Sequence, residues 1–191
     1  GNMSSPEGSS SDNNVHNVMI YQSMSGDAES GTSTFTMKGG TLTGRNGDQI
    51  YVTNTHSVIT LEDVTITNQD SSGRLLAILG NDATRGWGTA GANGGQVDLT
   101  TTNQTLTGAI EVDTVSTLNF TMGKGTNFTG TINIVENAEG GTAVDNNAVI
   151  TVEEGATWTL TGNVTITSLE NKGTINFNGY TITLADGTVL K

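Results

Sequence analysis

The stretch from Gly80 to Gly95, Gly-Asn-Asp-Ala-Thr-Arg-Gly-Trp-Gly-Thr-Ala-Gly-Ala-Asn-Gly-Gly, holds the residues best suited to recognition chemistry. Trp87 stands between two glycines with no apolar neighbour in sequence, which reads as a surface indole, and a sugar ring stacks well on such a face. The plainer reading, a Trp that plugs a gap in the flank of the fold, stands beside it. Arg85 and Asp82 add hydrogen bonds to hydroxyls or carboxylates, and Arg74 lies near in sequence. Trp87, Arg85, Asp82 and Arg74 are therefore the candidate carbohydrate-binding residues. Calcium prefers carboxylate, carboxamide and carbonyl oxygens, and Asp48, Asp70 and Asp82, each next to Gly or Asn-rich turn sequence, are the candidate metal ligands. No EF-hand spacing is present. Cysteine is absent, which removes thiolate metal sites and thiol catalysis together.

No nucleophile, base and orienting group line up in sequence around either histidine, so His16 and His56 are expected at the surface. Glu62-Asp63 and Glu153-Glu154 are carboxylate pairs of the kind used in acid and base catalysis. Adjacent strand residues point to opposite faces, so on strands neither pair shares a site. No catalytic residue is assigned.

The elements that must position these residues announce themselves by alternation. Phe35, Met37 and Leu42; Ile59, Leu61, Val64 and Ile66; Val97, Leu99 and Leu106; Leu118, Phe120, Met122 and Phe128; and Ile150, Val152, Trp158 and Leu160 recur among Thr, Asn and acids, the period-two pattern of strands with one buried face. A second family, Ile50 and Val52, Leu76 and Ile78, Ile110 and Val112, Ile132 and Ile134, Val164 and Ile166, is interleaved with the first. Thr107-Gly108, Thr129-Gly130 and Thr161-Gly162 precede members of the second family, placing glycine at one recurring corner. Short strands of this kind become stable when the next coil stacks like residues above them. The expected fold is all-β, a single-stranded right-handed parallel β-helix; a β-sandwich shows similar short strands and remains the alternative. Trp158 continues the alternation of Ala156 and Leu160 and is expected in the core. Asn54, Asn68, Asn133 and Asn146 fall near strand ends, where asparagine ladders satisfy turn backbones.

From about Phe35 to Leu184 the repeats resemble the pectate-lyase-like right-handed β-helix superfamily. Phe35-Thr36-Met37-Lys38-Gly39-Gly40-Thr41-Leu42-Thr43, then Ile50-Tyr51-Val52-Thr53-Asn54 and Ile59-Thr60-Leu61-Glu62-Asp63-Val64-Thr65-Ile66, look like secreted β-helix proteins of Gram-positive bacteria described as adhesin-like or carbohydrate-binding. The resemblance implies an extracellular or cell-surface module with polysaccharide or a host or cell-surface glycan as partner, and calcium is associated with such binders. The aspartates, Gly-His-Gly turn and Arg-x-Lys element of the superfamily's galacturonan hydrolases have no counterpart here, and the Arg-Pro context of its lyases is impossible with Pro6 as the sole proline.

The 191 residues suit one domain with a real core. Residues 1–17, rich in Ser, Asn and Gly, read as a flexible polar tail, and 18–191 as the folded domain. The net charge of -12, from 19 acids against 7 bases, argues against nucleic acid and anionic membrane as partners. No apolar run approaches the ~18 residues of a membrane span, so direct membrane insertion is not expected. The function expected from these features is non-catalytic carbohydrate binding or adhesion. A structural stalk without a small ligand and a degenerate polysaccharide lyase or hydrolase are the alternatives. Ice binding, which needs a strict Thr-x-Thr array coil after coil, is set aside because varying coil lengths should break such a lattice.

Overall fold

The computed structural model describes residues 16–22, 31–81 and 88–191. All regular structure among them is β. One sheet contains β1 (His16–Tyr21), β4 (Asp48–Thr53), β7 (Leu76–Ile78), β9 (Thr105–Asp113), β11 (Asn127–Val135), β14 (Val164–Ile166), β17 (Ile182–Leu184) and β18 (Val189–Leu190), joined by β13 (Thr157–Thr159) and β16 (Thr174–Asn176). A second contains β2 (Thr32–Lys38), β5 (His56–Glu62), β8 (Gln96–Thr102), β10 (Thr117–Met122), β12 (Ala148–Val152) and β15 (Ser168–Asn171), and β3 (Thr41–Gly44) pairs with β6 (Thr65–Asn68) in a third.

The chain runs through β2, β3 and β4, then through β5, β6 and β7, and each strand of the second trio pairs in parallel with its counterpart in the first. Later strands repeat this return. Like residues therefore stack across coils: Phe35, Ile59, Leu99, Phe120, Ile150 and Leu169 share one row. Ile50, Leu76, Ile110 and Ile132 form another, and Leu106, Phe128, Trp158 and Ile175 a third. Every strand pair is parallel except β17 with β18. The antiparallel pairing of a sandwich is thus not what forms. The first strand starts at His16, inside the span that composition assigned to the tail; residues 1–15 of that tail lie outside the described residues.

Glycine has a steric duty at one corner. In the nine-residue strands β9 and β11, the first part of β11 pairs with β13 and its last part meets β14, so a single bent strand covers what two strands cover in the next coil. Gly108 and Gly130 face each other at the bend, and a Cβ on Gly130 would collide with the Gly108 carbonyl oxygen. Trp158 lies beneath this bend, 0% exposed. It stacks on Phe128 with centroids 5.9 Å apart, and its Nε1–H donates to the Gly130 carbonyl at 3.1 Å.

Trp158→Ala is expected to cost about 3 to 5 kcal/mol by removing a fully buried aromatic, whereas Thr159→Ala on the outward face should stay within about 0.5 kcal/mol. Urea midpoints of the two variants measure this; equal losses would mean that the stacked aromatic row does not hold the coils together.

Candidate functional site

Arg74 sits just before β7 and is held on two sides. Its Nε and Nη2 donate to the Asp48 oxygens at 2.8 Å each, a bidentate pair, and its Nη1 donates to Glu111 at 2.7 Å. His16 Nδ1 lies 3.2 Å from the same Asp48 carboxylate, and the imidazole stacks on Tyr51 at 4.0 Å. Burial alone would raise the Asp48 pKa, but the bonds from His16 and Arg74 outweigh it and hold the carboxyl well below the usual carboxylate range. Burial likewise opposes the charge on Arg74, and the bonds to Asp48 and Glu111 outweigh it, so its proton is bound more tightly than in an ordinary arginine. The sequence placed His16 at the surface; the structure buries it at 7% exposure, because its register partner in β4 is Asp48.

A recess of about 190 Å³ opens beside this network, lined by Arg74, Leu79, Gly80, Glu111, Asp113, Val135, Glu136, Asn137 and Ala138. It lies where β7, β9 and β11 end and the chain turns towards the second sheet. Asp113, 2% exposed, anchors its floor. Its Oδ2 accepts the Gly80 amide at 2.7 Å and the Asn137 Nδ2 at 2.6 Å, while its Oδ1 has no partner among the described residues. Asn137 is fixed in turn: its amide donates to Thr114 Oγ1 and its Oδ1 accepts the Glu139 amide. Behind the recess, Asn147 Nδ2 caps the carbonyls of Asp113, Thr114 and Ser116.

The glycine-rich break is rooted here. The described residues stop at Asn81, next to Gly80, and resume at Gly88, where an added Cβ would collide with the Asn81 side chain. Asp82, Arg85 and Trp87 fall between these two points and lie outside the described residues. Asn81 Nδ2 donates to Asn93 Oδ1, and Asn93 Nδ2 donates to Asn54 Oδ1, both at 3.0 Å, so the corner is stitched by an asparagine chain. Asn54 and Asn93 both adopt the left-handed backbone that asparagine tolerates.

Of the three aspartates singled out for calcium, Asp48 is taken up by Arg74 and His16. Asp70 accepts the Gly47 amide through Oδ2 and the amide and hydroxyl of Ser72 through Oδ1, the pattern of a turn cap. Those bonds, the Ser72 hydroxyl first, hold its carboxyl below the usual range. Asp82 lies outside the described residues. Among the described residues no three His, Cys, Asp or Glu side chains gather to hold a metal ion. Neither acid pair lies wholly on a strand, since Asp63 follows the end of β5 in the left-handed region and Glu153 and Glu154 follow the end of β12; Glu62 pairs with Lys38 at 2.9 Å and Glu153 with Lys172 at 3.5 Å.

Two features escaped sequence reading. Thr41 and Thr43 stand in register with Thr65 and Thr67; further along, Thr105 and Thr107 align with Asn127 and Thr129, then Thr157 and Thr159, then Thr174 and Asn176. Variable coil lengths do not disturb these ranks, because the extra residues leave at other corners. The two blocks are separated by a second recess of about 240 Å³ between Thr65 and Thr105. There the ladder is replaced by the buried Gln104 side chain, whose Oε1 accepts the Val64 amide at 3.0 Å and whose Nε2 donates to the Val64 carbonyl at 2.7 Å.

Comparison of the chain with protein-family models, with curated proteins and with solved structures finds no match.

The depressed Asp48 pKa sets a pH dependence. Its stabilisation is fully present above the unfolded value near ~4 and is lost as pH falls through the lower folded value. Asp48→Asn should therefore lower stability at pH 7 by about 3 kcal/mol, since Arg74 and His16 lose their shared acceptor, and the deficit should shrink as pH drops from ~4 towards 2. Urea unfolding across that range measures it; a deficit independent of pH would contradict the network.

Proposed function

We propose that the stacked parallel sheets wind as a right-handed β-helix, the hand that parallel crossover connections almost always take, and that the chain is a non-catalytic extracellular or cell-surface module that binds carbohydrate. The observation that carries this reading is the recess at the ends of β7, β9 and β11, at the root of the segment that contains Trp87. Its hydrogen-bonding groups are held in place before any ligand arrives: Asp113 by Gly80 and Asn137, Glu111 by Arg74. Preformed polar groups of this kind orient a sugar by accepting from its hydroxyls, and Trp87, outside the described residues, is the aromatic residue in sequence reach to add a ring face. Outside the recess, the exposed threonine ranks add a wide surface for weak hydroxyl contacts, so affinity comes from many small contributions along a polymer.

Catalysis fits these groups poorly. A lyase base must give up a proton near neutral pH, and Arg74, clamped between Asp48 and Glu111, holds its proton more tightly than an ordinary arginine. His56 lies on the outward face of the second sheet, with Asp98, itself bonded to Asn119, 2.8 Å from its Nε2 and the Thr32 hydroxyl 3.3 Å from its Nδ1, outside the lining of the recess. A stalk without a small ligand is the reading that the long in-register rows favour, since they would build a stiff rod whatever the surface does.

A panel of soluble and insoluble polysaccharides, screened with calcium and with a chelator, tests the proposal. The intact chain is expected to bind at least one of them without releasing reducing ends or unsaturated products, and Trp87→Ala and Asn137→Ala should each weaken binding by about tenfold or more. Binding to none of the panel would leave the stalk.

A further inference from the structure

We infer that the recess at Asp113 takes a protonated primary amine, so that the glycan it selects carries an unacetylated amino-sugar unit. The inference rests on the carbohydrate reading and narrows it. Three carboxylates, Glu111, Asp113 and Glu136, line the recess against one guanidinium, Arg74. That guanidinium is already matched, because Asp48 holds it bidentately on the side away from Glu111. Glu136 is exposed and makes no ion pair among the described residues. The recess therefore presents an excess of negative charge that nothing in its described walls offsets.

The second observation is the orphaned Asp113 Oδ1. Both donors that the walls supply, the Gly80 amide and Asn137 Nδ2, go to the other oxygen. A buried carboxylate oxygen without a donor costs on the order of 1 to 3 kcal/mol, and the cost is recovered when a bound group brings N–H bonds. An ammonium group brings three donors and a compact positive charge. An N-acetylated unit brings one amide N–H, no charge, and a carbonyl oxygen that would face carboxylates. A divalent cation would need at least three converging side-chain ligands, and no such set exists among the described residues. Ammonium needs only one close carboxylate and the field of the others.

Because the whole chain carries a charge of -12, attraction of polycations to the protein at large must be separated from binding in the recess. Isothermal titration of the full chain with short oligomers of glucosamine and of N-acetylglucosamine, in ~150 mM salt at pH 6, makes the comparison. It uses the parent, Asp113→Asn, Glu136→Gln and the charge-matched surface variant Glu154→Gln. The glucosamine oligomer is expected to bind at least about tenfold more tightly than its acetylated counterpart. Asp113→Asn and Glu136→Gln should each remove most of that preference, and Glu154→Gln should keep it. Glu136 is exposed, so its variant remains informative if Asp113→Asn does not fold. Equal binding of the two oligomers, or equal weakening by all three variants, overturns the amine selection. Binding of neutral glycans alone, dependent on Trp87, overturns it while the carbohydrate reading stands; binding of no glycan of any kind overturns both.

Discussion

Everything in this molecule depends on register between coils. A short strand buries one row of side chains and cannot hold itself together; it becomes stable when the strand paired above places a matching residue over each member of the row. The row Leu106, Phe128, Trp158, Ile175 makes the point in its most demanding form, since a residue as large as Trp158 fits only where its neighbours in the adjacent coils are positioned by the ladder. A slip of one residue would move Trp158 outwards and bring Thr157 or Thr159 into the core. Gly130 shows the same constraint from the backbone side, where the ladder brings the corner of one coil against the carbonyl of the next so closely that no side chain fits.

A fold built this way accumulates polar backbone at its corners, and the buried polar side chains are found there. Gln104 replaces two missing ladder bonds where β6 and β9 part. Asn147 gathers three carbonyls, and the Asn81, Asn93, Asn54 chain crosses from coil to coil. The Asp48 and Arg74 pair does similar work, the Arg74 amide also donating to Asp48 Oδ1 at 3.0 Å. A buried ion pair is weak evidence for stability in general, but here each charge also holds backbone, so removing either partner unfastens a corner as well as an ion pair.

The parts of this organisation that are local in sequence were legible before the structure. Alternation locates the inward rows and places Trp158 in the core. What depends on partners in other coils was not legible. His16 reads as a tail residue until its pairing with Asp48, 32 positions on, is known. The threonine ranks are obscured by coils of unequal length, although the pairs Thr41 and Thr43, Thr65 and Thr67, Thr105 and Thr107, and Thr157 and Thr159 were in plain view. The recess was missed for the same reason: Asp113 closes β9, Asn137 follows β11 and Gly80 follows β7, and none carries a local signal beyond an acid, an amide and a glycine near a turn. Arg74 reads as a recognition residue by its place in the chain; its bonds to Asp48 and Glu111, and its place in the lining of the recess, depend on partners in other strands.

The placement of the recess follows from the same constraint that builds the core. A regular coil has every outward residue in line with its neighbours, so its faces are flat and its grooves shallow. Depth arises where a coil is interrupted. Here the pairing of β7 stops at Ile78, and the ends of β7, β9 and β11 form a wall with Gly80 and Asn137. The Asp113 carboxylate is buried there because the turn after β11 closes over it, and it is fixed because Gly80 and Asn137 both reach the same oxygen. The core is undisturbed there: the inward neighbour Val112 keeps its place in the row with Ile78 and Ile134, while the adjacent Asp113 is held by Gly80 and Asn137. What such a recess would select follows from the atoms that its described walls leave unsupplied, the Asp113 Oδ1 among them.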